Sequence, residues 1–449
     1  MNRPQPNILR VPSGLRKESR QGLGDREGLA LLTGVILAFF SPLLLMGKIF
    51  FYFDFTYFTY PTRFFLNKTF LEGSLPFWNP HIFNGEPLLA AFGAGVFYPP
   101  SLLLFCPDFI LGLNLFYIFH FLLLGTFVFL LVRRWGLSVE AALGAGFTAV
   151  FSGFFLSSVL LNNYFLANCW FPAFLYFLDR GWQEGRPQWF AAAVGVLTCQ
   201  TLAGSPSSCM LTVLMGGAWV WLAPLSPQKG LMDKWRHTRR LTLITLLAIG
   251  ISGIQLAPTV YFMKETQRQG GLSFKDHTQY SVEPEQILEL TGSKNMSDFM
   301  ARTYDQEISL NGEQEKGLFF SIYMGLLPVW LLLLTLMSWR RPHPPVRFWL
   351  LVTLAGLFLG LGKFNPIYEW IYRVVPFLDV FRYPEKYFFL TAFGLIFLTA
   401  YGIEAMVRGS SGWQVSTRKL LFGVLLLFVT ILLIAAWRPQ GNYTLPLSM

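Results

Sequence analysis

Ile110-Leu111-Gly112-Leu113-Asn114-Leu115-Phe116-Tyr117-Ile118-Phe119-His120-Phe121-Leu122-Leu123-Leu124-Gly125-Thr126-Phe127-Val128-Phe129-Leu130-Leu131-Val132 runs without a charge and is closed by Arg133-Arg134. A helix that crosses about 30 Å of hydrocarbon needs about 20 apolar residues, and this run supplies them. Outward from it the pattern recurs. Spans are expected at 29–47, 110–132, 140–161, 163–179, 188–204, 207–224, 241–262, 317–338, 347–362, 387–406 and 420–437. Several are short or interrupted by Gly and Pro, the fifth at Gly204-Ser205-Pro206. Such breaks need neighbouring protein or a wet cavity to satisfy the freed backbone groups. The composition agrees: 53% of the 449 residues are hydrophobic, 17% aromatic and only 13% charged, where soluble domains carry roughly 25% charged residues. Mean hydropathy is +0.45. Disorder, collagen, coiled coil and a disulfide-rich secreted module are excluded. The fold class read is an all-α polytopic membrane protein, a bundle of about 11 transmembrane helices.

Charge supplies an independent test. With the N-terminus cytoplasmic, the inner segments hold 21 of the 35 Lys and Arg and 8 of the 25 Asp and Glu. That is +13 inside and −3 outside, which together make the formal +10, the bias of the positive-inside rule. The net charge reports orientation and implies no nucleic-acid partner. Residues 1–28 read as a basic cytoplasmic tail leading into an uncleaved signal anchor. The helical domain covers 29–438, and an odd number of spans places 439–449 outside. Cys106, Cys169, Cys199 and Cys209 lack metal or redox spacing, and the five histidines are scattered. No cofactor is expected, and a divalent cation has no sequence support.

The inner loops are short and basic, and no nucleotide-binding glycine motif occurs. Chemistry is therefore expected in three long outer loops, 48–109, 263–316 and 363–386, on one side of the membrane. Asp54 is a lone carboxylate among aromatic residues just beyond the first span. Desolvation there would raise its pKa and make it a better proton acceptor; the alternative is a helix cap at the water boundary. Further along, Leu75-Pro76-Phe77-Trp78-Asn79-Pro80 and Phe83-Asn84-Gly85-Glu86-Pro87 suggest a rigid loop at the interface. Its aromatic residues suit interfacial anchoring, or stacking on sugar rings or prenyl chains. Arg382 and Lys386 stand at the mouth of the tenth span, on the side poor in cations. They suit phosphate recognition, or snorkelling that anchors the helix end. Residues 366–374 read as a short helix lying flat on the membrane, and the middle loop as a lid, an acceptor platform or ordinary solvated chain.

The Asp after the first span, the Leu75–Pro80 block, Phe83-Asn84-Gly85-Glu86-Pro87-Leu88-Leu89-Ala90 and Gly95-Val96-Phe97-Tyr98-Pro99-Pro100 resemble the YfhO family of bacterial membrane proteins. So do Phe381-Arg382-Tyr383-Pro384-Glu385-Lys386-Tyr387, Leu202-Ala203-Gly204-Ser205-Pro206 and Gln255-Leu256-Ala257-Pro258-Thr259. The resemblance implies a GT-C type glycosyltransferase fold, with polyprenyl-phosphate sugars as donors and cell-surface polymers as acceptors. On it, Asp54 matches the catalytic Asp, and Arg382 with Lys386 match the basic late-loop positions. Two departures stand out. Relatives often have Ala-Gly-His-Pro-Gln where this chain has Ala203-Gly204-Ser205-Pro206-Ser207. Relatives also commonly continue into a substantial outer region, whereas this sequence ends at Met449, as a compact variant or a chain missing a C-terminal part would.

The expected activity is inverting transfer of a sugar from a polyprenyl-phosphate donor to an envelope polymer or lipid acceptor, at the outer face of a bacterial inner membrane. Such a phosphate leaves without a general acid, so one base and a few cations suffice. Asp54 is the expected base, and Arg382 with Lys386 the donor-phosphate ligands. Arg63, Trp78, Asn79, Glu86 and Arg268 are weaker candidates for sugar or acceptor contacts. The rivals are a transporter or flippase of lipid-linked sugars, with His120 as the main mid-span ionisable group, and a non-catalytic envelope-assembly partner. The orientation predicts that, in a cysteine-free background, cysteines placed at Ser74 and Ser273 react with a membrane-impermeant maleimide on intact cells, while one at Ser226 does not.

Overall fold

The computed structural model describes residues 23–50, 54–82, 84–222, 230–266, 271–292, 318–338, 344–375 and 378–408. Arg268, the expected span 420–437, residues 1–22 and the C-terminal segment 439–449 lie outside the described residues. Among the described residues the protein is helical and has no strand, only a bridge between Asn79 and Glu86. Among the described residues, three helices are long and apolar enough to cross a membrane: Phe109–Arg134, Val139–Ser158 and Pro384–Val407. A fourth crossing results if Leu231–Ile251 and Gly253–Met263, bent by 77°, count as one broken span.

The quoted run forms α4 (Phe109–Arg134), preceded in order by α1 (Asp25–Phe39), α2 (Ser41–Leu45) and α3 (Tyr60–Leu71). Asp108 starts α4 by accepting hydrogen bonds from the Ile110 and Leu111 amides, and Arg133 and Arg134 complement the dipole at its far end. Then follow α5 (Val139–Phe151), α6 (Gly153–Ser158), α7 (Asn162–Cys169), α8 (Phe171–Glu184), α9 (Pro187–Leu202), α10 (Pro206–Leu222), α11 (Leu231–Ile251), α12 (Gly253–Met263) and α13 (Phe274–His277). The last are α14 (Leu326–Ser338), α15 (Pro344–Gly360), α16 (Tyr368–Val374) and α17 (Phe388–Arg408).

Several expected spans are broken, and proline marks some of the breaks. The first expected span is split at Phe40, ahead of Pro42, and the fourth at Trp170, ahead of Pro172. A proline lacks the amide that would continue the hydrogen-bond ladder but is tolerated in the first turn of a new helix. The short helix expected at 366–374 is α16, Tyr368–Val374, with Tyr368 buried and Trp370 and Val374 exposed.

The bundle forms around α4 and α5, and α17 packs on α5, α14 and α15. Ala141, Ala142, Ala145 and Ala149 are fully buried on α5, small side chains that let helix backbones approach closely. Two ends result. At one, Arg133 pairs with Asp25 (2.7 Å) and Arg134 with the buried Asp179 (2.6 Å), and the Glu404 carboxylate accepts the Ser138 amide (2.6 Å). Trp135 stacks there on Trp219. At the other end, irregular chain folds down onto helix breaks. Gly204 has φ +93°, and a Cβ there would lie 2.5 Å from the Phe92 carbonyl oxygen, so only glycine permits this approach.

Side chains of the helices take the carbonyls of that irregular chain. Asn114 donates to Leu43 and Lys48 (2.8 Å each), Asn67 to Leu104 (2.6 Å) and Gln255 to Leu89 (2.7 Å). Tyr98 is anchored by a directional chain: the Trp170 indole donates to its hydroxyl, which meets His120 Nε2, while His120 Nδ1 reaches the Phe116 carbonyl. A carbonyl only accepts, so Nδ1 carries the hydrogen and Nε2 is the acceptor.

Charge burial decides which ion pair matters for stability. Arg134→Ala leaves the Asp179 carboxylate, whose side chain is 2% exposed, with the Gln183 amide but no cation partner among the described residues, and is expected to cost about 3 kcal/mol. Arg373→Ala breaks an exposed pair with Glu369 and should cost no more than about 1 kcal/mol. Thermal unfolding in detergent would show the first melting well below the second.

Candidate functional site

Asp54 stands immediately before a widened helical turn, Phe55–Thr59, that leads into α3. Phe55 is buried, with its ring 5.4 Å from Tyr117 and 6.0 Å from Phe50. That anchor leaves Asp54 half-buried at the rim. Its side chain makes no capping hydrogen bond to the helix it precedes, so the capping alternative is not realised. Burial raises the carboxyl above its ordinary 3.8, which strengthens it as a proton acceptor.

The remaining candidates of the first outer loop divide by exposure. Trp78 is 55% exposed, with its indole against Gly85. Asn79 is buried, and its Oδ1 accepts the His81 amide (3.0 Å), an internal turn contact. Glu86 exchanges two 2.9 Å backbone hydrogen bonds with Asn79, and burial raises its carboxyl. Arg63 is only 1% exposed. Its Nη1 donates to the Ala94 carbonyl (3.1 Å) and the Ser101 hydroxyl (3.3 Å), its guanidinium lies 5.2 Å from the Phe116 ring centre, and Nη2 has no partner. Desolvation lowers its pKa, and the neighbouring Tyr117 and Tyr98 oppose that shift. Arg63 thus clamps the loop from inside.

The third outer loop is pinned more tightly than its sequence suggests. Its turn joins the middle loop through backbone hydrogen bonds: Leu272 to Asp379 (2.9 Å), Tyr383 to His277 (2.9 Å) and Glu385 to Tyr280 (3.1 Å), the amide named first in each. Tyr383 has φ +73°. For a bulky residue before proline this conformation is strained and needs external restraint. Beside it, Arg382 is partly buried, and its Nε has no hydrogen-bond partner. No carboxylate lies within ion-pair distance of Arg382 among the described residues. The Lys386 ammonium lies 5.0 Å from the Tyr383 ring centre.

Sequence reading missed the residues of α4 and α7 against which these segments are held. Tyr117 donates to Asn162 (2.6 Å), and Tyr164 donates to the Lys386 carbonyl (2.7 Å). Asn162 and Tyr164 lie two apart on α7: the first holds α4, whose Tyr117 ring packs on Phe55, and the second holds the turn that bears Arg382 at the Lys386 carbonyl. Glu385 is fully buried, and its carboxylate accepts the Leu318 and Phe319 amides. Its place inside the Phe381–Tyr387 stretch was the available signal. The stretches around Gly204 and Gln255 also meet the first outer loop, at Phe92 and Leu89.

The described residues offer a half-buried carboxylate at Asp54 and, on a different turn, a cation at Arg382 with no carboxylate partner. The first can accept a proton, and the second can hold an anion. Comparison with protein-family models and with curated proteins returns no match.

His277 joins the segments 271–292 and 378–387. It is 1% exposed, faces Tyr368, Tyr372 and Asp379, and burial depresses its pKa below the ordinary 6.5. Folding therefore favours the neutral ring, and this contribution is complete above pH 6.5 and lost as pH falls toward the depressed value. The melting temperature of wild type should drop over that interval more steeply than that of His277→Gln.

Proposed function

We propose that the protein is a multi-pass enzyme of the bacterial inner membrane, N-terminus inside. In this reading it transfers a sugar from a polyprenyl-phosphate donor to an envelope polymer or lipid acceptor at the outer face, with inversion. Eleven spans and a GT-C-like bundle belong to the same reading, as does the YfhO-family resemblance. The reading is supported by Asp54, which has a raised pKa and no capping role, and separately by Arg382, a partly buried cation with no carboxylate partner among the described residues. Asp54 takes the proton from the acceptor hydroxyl as it attacks the anomeric carbon. The bond to the donor phosphate breaks, and Arg382 with Lys386 stabilises the charge that develops on the departing phosphate. In this reading the exposed Trp78 stacks on a sugar or prenyl chain.

A transporter reading is less well supported. His120, the main ionisable group in a long span, is closed between the Tyr98 hydroxyl and the Phe116 carbonyl. A relay that ends on a carbonyl passes no proton onward.

Purified protein, a polyprenyl-phosphate sugar and a panel of surface polymers test the proposal. Asp54→Asn is expected to lower transfer by about 100-fold or more, and Arg382→Ala to raise the donor KM. The wild-type rate should fall as pH drops through an apparent pKa above 3.8, and Asp54→Asn should lose that limb. Transfer undiminished in Asp54→Asn would remove Asp54 as the base.

A further inference from the structure

One histidine holds the chain on both sides of Arg382. The His277 ring lies with Nδ1 2.7 Å from the Phe381 carbonyl and Nε2 2.8 Å from the Tyr368 hydroxyl. The carbonyl only accepts, so Nδ1–H donates and Nε2 accepts from Tyr368. The main-chain carbonyl of the same residue accepts the Tyr383 amide at 2.9 Å. The residues before and after Arg382 are therefore bonded to His277. The ring has little room to move: it stacks on Tyr368 (5.7 Å between centres), approaches Tyr372 (5.0 Å) and is buried. Ser273 caps the turn that carries it by accepting the Asp276 amide.

Tyr383, at φ +73°, is the strained element of this turn. Strain of that kind costs roughly 1–3 kcal/mol and persists only where the surroundings over-determine it. The paired bonds from His277 are such a restraint, and they act on the neighbours of the one residue whose direction matters for an anion.

We propose that His277 is a positioning residue that locks the Arg382 turn in its strained form and thereby aims the guanidinium. This rests on the reading of Arg382 as a phosphate ligand. His277 touches no reacting atom in it and acts through the backbone of residues 381–383. The Tyr368 hydroxyl secures the ring tautomer, much as an outer hydrogen bond orients a metal-bound histidine.

The test uses the full chain in detergent, with a polyprenyl monophosphate as probe and hydrogen exchange as an activity-independent readout. His277→Ala should speed amide exchange in 378–387 and leave Phe109–Arg134 protected. It should weaken probe binding about tenfold, the scale of one buried hydrogen bond. The double variant with Arg382→Ala should bind no worse than Arg382→Ala alone, because both changes remove one interaction. His277→Asn, which keeps a donor, should recover part of the protection. If His277→Ala does not fold, Tyr368→Phe keeps the ring stack and should shift both readouts the same way by less. Unchanged exchange in 378–387, or simply additive binding losses, would overturn the positioning role. Faster exchange with binding unaffected by Arg382→Ala would support the lock and overturn the phosphate reading instead.

Discussion

A main-chain carbonyl removed from water needs a donor, since an unsatisfied one costs several kcal/mol in an apolar setting. A regular helix meets that demand internally, whereas chain that leaves its helix inside a bundle does not. Here the demand falls on side chains of neighbouring elements. Asn67, Asn114, Gln255, Arg63, Tyr164, His277 and Ser157 each donate to a carbonyl far away in sequence. Take those donors away and the outer loops have no reason to settle on the helix breaks. The candidate residues depend on this requirement, because the loops that carry them are held by such bonds.

The same requirement separates two arginines of similar sequence character. Arg63 is sealed: two acceptors and an aromatic face occupy it, and it is 1% exposed. A ligand could reach it only by displacing protein. Arg382 remains partly accessible, on a turn stiffened from both sides, and its Nε has nothing to bond. Each keeps one buried nitrogen without a partner, so exposure, more than charge or unmet hydrogen-bonding capacity, distinguishes a residue that holds the protein together from one able to hold something else.

The helical class was legible from runs such as 110–132, since composition and length report on the solvent directly. The loops at 48–109 and 363–386 were legible too, because charge and proline interrupt the apolar pattern there. What the pattern hid was where a span would break. Phe40 and Trp170 lie in apolar sequence, and the nearby prolines mark a break only when a new helix can start on them. Also hidden were partners separated by long stretches of chain, such as Tyr164 with Lys386 or His277 with Phe381. Those pairings arise from three-dimensional packing and leave no local periodicity. Asn79 shows the converse: a polar residue in a conspicuous block whose side-chain oxygen serves the loop's own turn.

The two ends of the bundle differ in how they respond to dissolved ions. One is joined by ionic pairs, including the accessible Arg133–Asp25 contact. The bonds that fasten the outer loops to the helices join neutral amides, hydroxyls and an imidazole to carbonyls. Counterions at about 0.1 M screen exposed charges beyond about 10 Å and leave short neutral hydrogen bonds nearly untouched. The bonds that fasten these loops to the helices would thus persist across a range of ionic strengths, while softening by salt would begin at exposed ion pairs such as Arg133–Asp25 and Arg373–Glu369.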